Sequence, residues 1–422
     1  MSGIGKINTF KAFRSRNYKL YFWGRAVSQF GTAMQRMAIV WLIYSITHSA
    51  YMIGVTIFAE LFPAFLLSIF GGITADRYNR YKIVNITQIT SMIQSVLLAV
   101  LIISGHRVVW EILTLSVILG IINSFDVPAR QSMMNDVLDD KADLPNALSL
   151  NASMASFGKL MGPVVAGIIL ETFGAGVCFI LNAGSFGFVM AALAMMKNLP
   201  PYTPKENKKK IMQDFADGFA YLWKVPSIGL IIVVLALECM LVVPYDTLLP
   251  VYAKEIFKGS ASTYGYITGF IATGAIIGSI FLASIKSTFN QRINLFMAML
   301  LLAFGLIIFS YLKNFYLAMF FAVICGFGTS IQNTITNIIV QSETEAHMRG
   351  RAISVMLMAM FGMVPIGSLL VGWVSEKIGA PNTILGQGII GLVIAIYFFI
   401  SLRKSKRTKT NVRQTENIEL KS

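Results

Sequence analysis

Charged residues, cysteine and histidine are scarce in this 422-residue chain, and each scarcity excludes a class of protein. Charged residues make up 13% against 55% hydrophobic ones, and the mean hydropathy is +0.67, which excludes an ordinary soluble domain. The three cysteines lie inside apolar runs and indicate small buried side chains, not a disulfide framework. The three histidines show no metal-ligand spacing, so we expect no metal site.

Motifs for nucleotide chemistry and for secretion are also missing. The chain contains no G-x-x-x-x-G-K-[ST] phosphate loop, which argues against a nucleotide site of its own. No nucleophile–base set emerges, so a membrane enzyme is the least favoured class. The N-terminus is polar and the first apolar run is too long for a signal-peptide core, so we expect no cleaved signal. We also expect no cofactor and no catalytic residue.

Long apolar runs are what the chain does contain, and twelve of them are long enough to cross a bilayer. Residues 1–19 precede them as a basic cytoplasmic segment with interleaved aromatic side chains, typical of an amphipathic interfacial stretch. The pattern predicts an all-α integral membrane protein with 12 transmembrane helices. The predicted spans are 20–46, 49–73, 83–104, 108–128, 146–170, 175–196, 227–253, 261–285, 292–312, 315–340, 351–374 and 383–402.

A polar segment divides the chain into two halves. Residues 197–226 contain four prolines and a run of three lysines, and 211–224 carry an apolar face at helical spacing. We predict a basic cytoplasmic linker with a surface helix there, between six-helix bundles at 20–196 and 227–402. Residues 403–422 are basic and polar, and we expect a disordered or lipid-apposed cytoplasmic tail.

The two halves repeat each other at an offset of about half the chain. Gly158 corresponds to Gly362, and Glu171 corresponds to Glu376, each glutamate being followed three residues later by Gly-Ala. This repeat pairs span 5 with span 11 and span 6 with span 12. Duplicated parallel halves are common among secondary transporters.

The distribution of positive charge predicts the orientation in the membrane. With both termini in the cytoplasm, the cytoplasmic loops and tails hold 27 of the 35 lysines and arginines, and the opposite loops hold five. The positive-inside rule therefore favours cytoplasmic termini in a multi-pass protein of the bacterial inner membrane. Because orientation explains the net charge of +15, we expect no nucleic-acid partner.

A charged stretch at residues 71–82 separates the second and third spans. Its glycine pair permits close helix approach, and its carboxylate and three cations form a turn that cannot remain in hydrocarbon. One interpretation is an ordinary positive-inside hairpin. The other is a gating turn on the cytoplasmic side.

The stretch from Gly72 to Arg80 resembles the loop 2–3 motif of the major facilitator superfamily, G-x-L-a-D-r-x-G-r-k. It departs at Asn79, where the family usually has glycine. Because asparagine also tolerates a left-handed turn, the motif is retained. The resemblance covers essentially the full length of the chain and implies two pseudo-symmetric six-helix bundles.

A second motif lies in span 5 and is read as a helix-packing motif. The run Gly158-x-x-x-Gly162-Pro163-x-x-Ala166-Gly167 resembles the span-5 motif of the family's antiporters, with Ala166 replacing one glycine. Four further stretches look like the enterobactin-exporter and macrolide-efflux branch. They are 125–131, 146–151, 249–253 and 348–351. The resemblance implies export of small organic molecules driven by the proton gradient.

Spans 1 and 10 each carry a polar stripe at helical spacing. The stripes are Arg25, Gln29, Thr32 and Arg36, and Ser330, Asn333, Asn337 and Gln341. In the family's architecture spans 1, 4, 7 and 10 line the central cavity, so the resemblance makes these residues candidates for substrate contact. The alternative is that they form polar contacts between packed helices.

Three acids inside apolar spans are candidates for proton coupling, because an intramembrane carboxyl can bind and release a proton. Glu238 and Asp246 lie eight residues apart in span 7, and Glu60 lies in span 2. The alternative for Asp246, which lies between Pro244 and Pro250, is that it satisfies backbone donors of a broken helix.

Lys159 is the one lysine predicted inside a span. A buried ammonium needs a partner, so we expect a structural ion pair with a carboxylate. The other interpretation is that Lys159 lines the cavity and receives an anionic group of the substrate.

The resemblance also implies a cytoplasmic gating cluster. It would join the loop 2–3 motif to charges at the end of span 4 and at the start of span 11, whose helix dipole attracts an anion. The candidates are Gly72, Asp76, Arg77, Arg80, Asp126, Arg130 and Arg351.

The sequence therefore predicts a monomeric secondary transporter that exports small amphipathic compounds, drug-like or siderophore-type, by proton antiport with alternating access. Its expected partners are the small-molecule substrate, protons and membrane lipid. Two alternatives stay open: a gradient-driven importer or facilitator of a small metabolite, and a non-transporting membrane sensor.

Overall fold

The computed structural model describes residues 10–197, 220–223, 225–284 and 290–419, and within these ranges it contains helices and no strand. Twelve long helices follow one another in the described part. They are α1 (Arg16–Thr47), α2 (Ala50–Arg77), α3 (Arg80–Ile103), α4 (Val109–Met133), α5 (Leu144–Phe173), α6 (Ala175–Ala194), α7 (Pro226–Leu241), α8 (Ala261–Ser284), α9 (Gln291–Phe309), α10 (Phe315–Glu343), α11 (Arg349–Ile378) and α12 (Ala380–Glu419).

Some predictions lie outside the described residues. These are the first part of the interfacial segment, at 1–9, and most of the linker with its surface helix. Within the described residues, eleven helices are long and apolar enough to cross a membrane, and they include every long helix except α1. α1 has ample length, at 32 residues, but Arg25 and Arg36 and its polar stripe lower its hydropathy.

The turn between α2 and α3 is shorter than the sequence predicts. α2 continues through the glycine pair to Arg77, and α3 begins at Arg80. Asn79 has φ −62° and ψ 112°, and its side chain accepts the backbone N–H of Lys82 at 3.3 Å. Asn79 therefore does not use the left-handed conformation that asparagine tolerates, and acts instead as the N-cap of α3.

Span 7, predicted at 227–253 with a broken helix near Asp246 as one alternative, is interrupted in its second half. α7 ends at Leu241 and is followed by a 3₁₀ segment, Val243–Leu248, and then by a π-helical turn, Tyr252–Ile256. Pro244 and Pro250 lack the N–H that a helix needs, which explains the interruption. The break places Asp246 on irregular backbone.

The last helix also differs from its prediction. α12 continues to Glu419, beyond residue 402, where the sequence predicts a disordered or lipid-apposed tail. No glycine or proline occurs between 403 and 419, so nothing in the sequence stops the helix.

Contacts divide the chain into two compact units. Unit 1 comprises Met1–Lys209, Asp246–Ala272 and Ser368–Glu376, and unit 2 comprises Lys210–Tyr245, Thr273–Gly367 and Lys377–Ser422. Unit 1 has one buried apolar cluster around Ile43, Leu98 and Phe179 and a second around Tyr18 and Met133.

Unit 2 has its own buried apolar cluster, which joins side chains of α7, α10 and α11. Ile228, Leu235, Val340 and Met356 are among its members. The buried acid Glu238 lies on α7, one of the helices that form this cluster.

Candidate functional site

Glycines set the spacing between α2 and α4 in unit 1. A Cβ at Gly120 would collide with the backbone carbonyl of Glu60, and one at Gly71 would collide with that of Ser124. The two backbones therefore approach closely at both places. This packing fixes the stretch of α2 that carries Glu60.

Arg36 and Glu60 form an ion pair between α1 and α2 of unit 1. The Arg36 Nη2 lies 2.5 Å from Glu60 Oε1, and the Arg36 Nε donates to the same oxygen at 3.1 Å. The Glu60 side chain is 10% exposed and that of Arg36 is 55% exposed. The Arg36 guanidinium is therefore bound by the Glu60 carboxylate on one side and open on the other.

Asp246 and Tyr264 extend this arrangement within unit 1. The Arg36 guanidinium interacts electrostatically with the Asp246 carboxylate and with the Tyr264 hydroxyl. Asp246 also accepts the backbone N–H of Thr247. The carboxylate therefore serves the broken backbone, as one interpretation has it, and faces a cation as well.

An aromatic pair lies beside these charges. The Tyr264 ring is stacked on Trp41 with centroids 6.3 Å apart, and the Lys254 ammonium lies 5.7 Å from the centroid of the Trp41 ring. We refer to Arg36, Glu60, Asp246 and Tyr264 together as the Arg36 site. Such a mixture of one cation, two acids and an aromatic wall suits a small amphipathic molecule and a proton.

The α1 stripe does not act as one surface. Arg25, at its other end, hydrogen-bonds Tyr21 and interacts electrostatically with Asp126 and Arg130, not with the Arg36 site. Gln29 packs over Gly158 of α5. Gln29 therefore fits the interpretation of the stripe as polar contacts between packed helices.

Asp126 anchors the charges predicted for the cytoplasmic cluster. This carboxylate is 2% exposed, accepts hydrogen bonds from Thr87 at 2.7 Å and Gln88 at 3.0 Å, and pairs with Arg130. Arg80 pairs instead with Asp136 at 3.0 Å. Sequence reasoning missed Asp136, although it lies in a short acidic stretch six residues after Arg130.

The remaining gating candidates lie near the end of α2 and at the start of α11. A Cβ at Gly72 would meet nothing within 4 Å, so close helix approach occurs at its neighbour Gly71. Asp76 is partly buried and Arg77 is exposed at the end of α2. Arg351 lies at the start of α11, in unit 2, and its predicted approach to Asp76 stays a prediction.

The span-5 motif lies where α5 contacts its neighbours in unit 1. A Cβ at Gly162 would collide with Ala33 of α1, and one at Gly167 would collide with the Ala261 carbonyl. The carbonyl of Pro163 approaches Gly265 of α8 in the same way. Lys159 is exposed and forms no salt bridge within the described residues, so the expected ion pair is not formed.

In unit 2 the buried polar residues of α10 are neighbours of the predicted stripe. Asn333 and Asn337 are partly exposed, and Asn337 accepts a hydrogen bond from Gln341 at 2.5 Å. Gln332 is buried and hydrogen-bonds Glu238 of α7. The stripe therefore lies on the same helix as Gln332 but does not include Gln332, the residue that contacts Glu238.

A buried network of amides in unit 1 was also missed. Gln35 donates to Gln94 at 3.0 Å and accepts from Asn182 at 2.7 Å and Ser95 at 2.7 Å, which joins α1, α3 and α6. Its only signal in the sequence is an amide at a helix position beside the polar stripe. Among the described residues no group of three or more His, Cys, Asp or Glu is arranged to hold a metal ion.

The internal repeat has a structural counterpart in unit 1. Glu376, near the end of α11, accepts hydrogen bonds from the Ser49 hydroxyl and the Tyr51 N–H at the start of α2. Glu171, near the end of α5, accepts hydrogen bonds from Ser260 and Ser262 at the start of α8. Each of these equivalent glutamates therefore contacts the first turn of another helix.

The long apolar helices define a multi-pass membrane protein, and paired charges lie among them. A family model described as "Transmembrane secretion effector" (MFS_3) matches residues 7–420. The chain therefore belongs to this family of the major facilitator superfamily, and the resemblance drawn from the loop 2–3 motif is confirmed.

Known proteins match nearly the whole chain. The staphyloferrin A transporter of Staphylococcus aureus (strain NCTC 8325 / PS 47) is 26% identical and covers 94% of this chain and 97% of its own length. Macrolide efflux protein A of Streptococcus pyogenes is 21% identical and covers 90% and 95%. The similarity to the macrolide-efflux branch is thereby confirmed.

A solved structure confirms the fold. A bacterial homologue of the human lysosomal transporter Spinster, in an inward-facing and unoccupied conformation, superposes with a TM-score of 0.73. The match covers 92% of this chain and 97% of the homologue at 14% sequence identity. The predicted all-α, major facilitator fold is therefore correct.

Proposed function

We propose that this transporter exports small amphipathic organic compounds, drug-like or siderophore-type, from the cytoplasm in exchange for protons by alternating access. The observation that carries the proposal is the Arg36 site. It brings one cation and two acids together within three of the spans predicted from the sequence, where ionisable groups are costly and mark transport pathways.

The charges of the Arg36 site suit an exchange reaction. With both carboxylates ionised, the site carries one net negative charge, and one proton neutralises it. Glu60 is held by three hydrogen bonds from Arg36, whereas Asp246 is exposed and is the freer of the two acids. We assign the exchanged proton to Asp246, with Glu60 orienting Arg36.

Substrate and proton compete at such a site. A polar or charged group of the substrate that binds Arg36 and Asp246 displaces the proton, and a returning proton displaces the substrate. The Trp41 and Tyr264 rings offer a flat apolar surface for the rest of the molecule. Antiport follows because the two ligands cannot occupy Asp246 together.

The relatives support the class of substrate and the direction. One relative is named as a staphyloferrin A transporter and another as a macrolide efflux protein. Both match this chain over nearly its full length. Small organic compounds of either kind are therefore the first candidates here. The cytoplasmic charges around Asp126 and Arg80 supply pairs that would break when the inner side opens.

The proposal also covers the membrane, the orientation and the oligomeric state. The charge asymmetry supports a bacterial inner-membrane protein with both termini in the cytoplasm, working as a monomer surrounded by lipid. Large apolar side chains such as Ile86, Ile93 and Val100 are exposed on α3, as lipid-facing positions require.

Accumulation in intact cells tests the direction. Cells that produce the wild type, Asp246→Asn or Glu345→Gln would be loaded with macrolides and siderophores one at a time, with and without a protonophore. We expect the wild type to lower intracellular compound, the protonophore to abolish this, and Asp246→Asn to behave like cells without the protein. Glu345, an exposed acid after α10, is the matched control and should behave like the wild type.

Other outcomes would favour the alternatives. Higher accumulation in producing cells would indicate a gradient-driven importer or facilitator. Unchanged accumulation of every compound, with normal amounts of protein in the membrane, would favour a non-transporting sensor.

A further inference from the structure

Glu238 and Gln332 of unit 2 are buried together and leave two acceptor atoms without partners. The two side chains are 1% and 3% exposed, respectively. They share one hydrogen bond, yet Glu238 Oε1 and Gln332 Oε1 are both buried with no hydrogen-bond partner in the described residues. Buried polar atoms of this kind are rare and call for an explanation.

The atoms identify what is missing. Because Gln332 Oε1 has no partner, the shared hydrogen bond uses its Nε2 as donor. Because Glu238 Oε1 has no partner, the acceptor is the other carboxyl oxygen. Both orphaned atoms are therefore acceptors, one on each side chain of a pair already in contact, and the pair lacks one donor between them.

A proton on Glu238 Oε1 supplies that donor. The neutral carboxylic acid can donate O–H to Gln332 Oε1 while it accepts N–H from Gln332 Nε2, so the acid and the amide join in a ring of two hydrogen bonds. No salt bridge to Glu238 exists within the described residues. An ionised carboxylate would remain buried without a counter-ion, which is far more costly than a buried neutral acid.

In the part of the chain that the structure describes, the neighbours of Glu238 are neutral groups. Its electrostatic neighbour is the buried Cys239 thiol, on the same helix. From α10 the facing group is Gln332, and from α12 the buried Gln387 donates to the Val242 carbonyl at 3.3 Å. Ile228, Ile232, Leu235 and Cys239 of the same helix pack in the apolar cluster of unit 2.

We propose that Glu238 and Gln332 form a second proton-binding site of this transporter, in which the carboxyl holds its proton against the carboxamide. Gln332 is the positioning residue of that site. The inference rests on the proposed function only for the use of this proton in transport, since the site itself follows from the contacts within unit 2.

Infrared spectroscopy of the purified full-length protein tests the site without a substrate. A protonated carboxyl gives a carbonyl-stretch band that an ionised carboxylate lacks. We expect such a band at neutral pH in the wild type and its loss in Glu238→Gln. The substituted amide can form the same pair with Gln332, so this variant should fold as the wild type does.

Two neighbouring residues on α10 provide the matched comparison. Gln332→Leu removes the partner and should shift or abolish the Glu238 band, whereas Asn333→Leu, at the adjacent and partly exposed position, should leave it unchanged. A role of Gln332 in packing alone would not move the band.

The outcomes separate this inference from the proposed function. Identical carbonyl regions in the wild type and Glu238→Gln would overturn the second site, whatever the transport assays show. A Glu238 band in a protein that exchanges no proton would uphold the site and overturn the antiport proposal. If both hold, Glu238→Gln should move substrate with fewer protons released than the wild type.

Discussion

At the scale of single residues, the Arg36 site depends on which charges meet. Arg36 and Glu60 are 24 positions apart, and each is recognisable in the sequence as an ionisable group inside an apolar run. Their pairing was not predictable, because it depends on the rotation and register of α1 against α2. The same limit explains why Asn333 was selected and Gln332 was missed: a stripe defines a helix face to within about one position.

The Arg36–Glu60 pair gives a residue-scale prediction. Arg36→Gln leaves Glu60 and Asp246 without their cation, and Glu60→Gln removes the carboxylate that hydrogen-bonds Arg36. Each variant should therefore lower the melting temperature of the purified protein and abolish export. The double variant should regain part of the lost stability, with an interaction energy of about 0.5–3 kcal/mol, and no export. Thermal unfolding monitored by tryptophan fluorescence would measure all four proteins.

Strictly additive melting-temperature losses would contradict this prediction. They would show that the two side chains act independently and that the ion pair contributes nothing to unit 1.

At the scale of helices, the lengths of apolar runs predicted where the spans lie, because hydrocarbon thickness fixes how much apolar sequence a helix needs. The details that depend on backbone hydrogen bonding were less accessible. The sequence shows Pro244 and Pro250, but the 3₁₀ and π segments that follow α7 depend on which donors find partners. The role of Asn79 as a helix cap likewise depends on where α3 begins.

The adjacent glycines of α2 give an element-scale prediction. A Cβ at Gly71 would strike the Ser124 carbonyl of α4, whereas one at Gly72 would meet open space. Gly71→Ala should therefore destabilise the protein by about 1–3 kcal/mol, as overpacking does. Gly72→Ala should be neutral or stabilise it by up to about 1 kcal/mol through helix propensity.

Melting temperatures of the two variants in one detergent would decide the matter. Equal effects at the two positions would contradict the close approach of α2 and α4 at Gly71.

At the scale of the whole molecule, the charge asymmetry and the repeat in the sequence indicated the class, and family and fold are now shown. The equivalent glutamates Glu171 and Glu376 show what a sequence repeat predicts and what it does not. Their positions are visible in the sequence, yet their contacts with the first turns of α2 and α8 required the structure. Neither the sequence repeat nor the fold identifies the substrate, because a fold shared by many transporters does not specify one compound.

Substrate-driven proton release from inside-out membrane vesicles is the most direct test of proton antiport at the Arg36 site. The vesicles would be energised to an acid interior, reported by a quenched dye, and given the compounds that the cell assay identifies. We expect fluorescence recovery with the wild type and Glu345→Gln and none with Asp246→Asn. Full recovery with Asp246→Asn, or no recovery with wild type for any exported compound, would contradict the account.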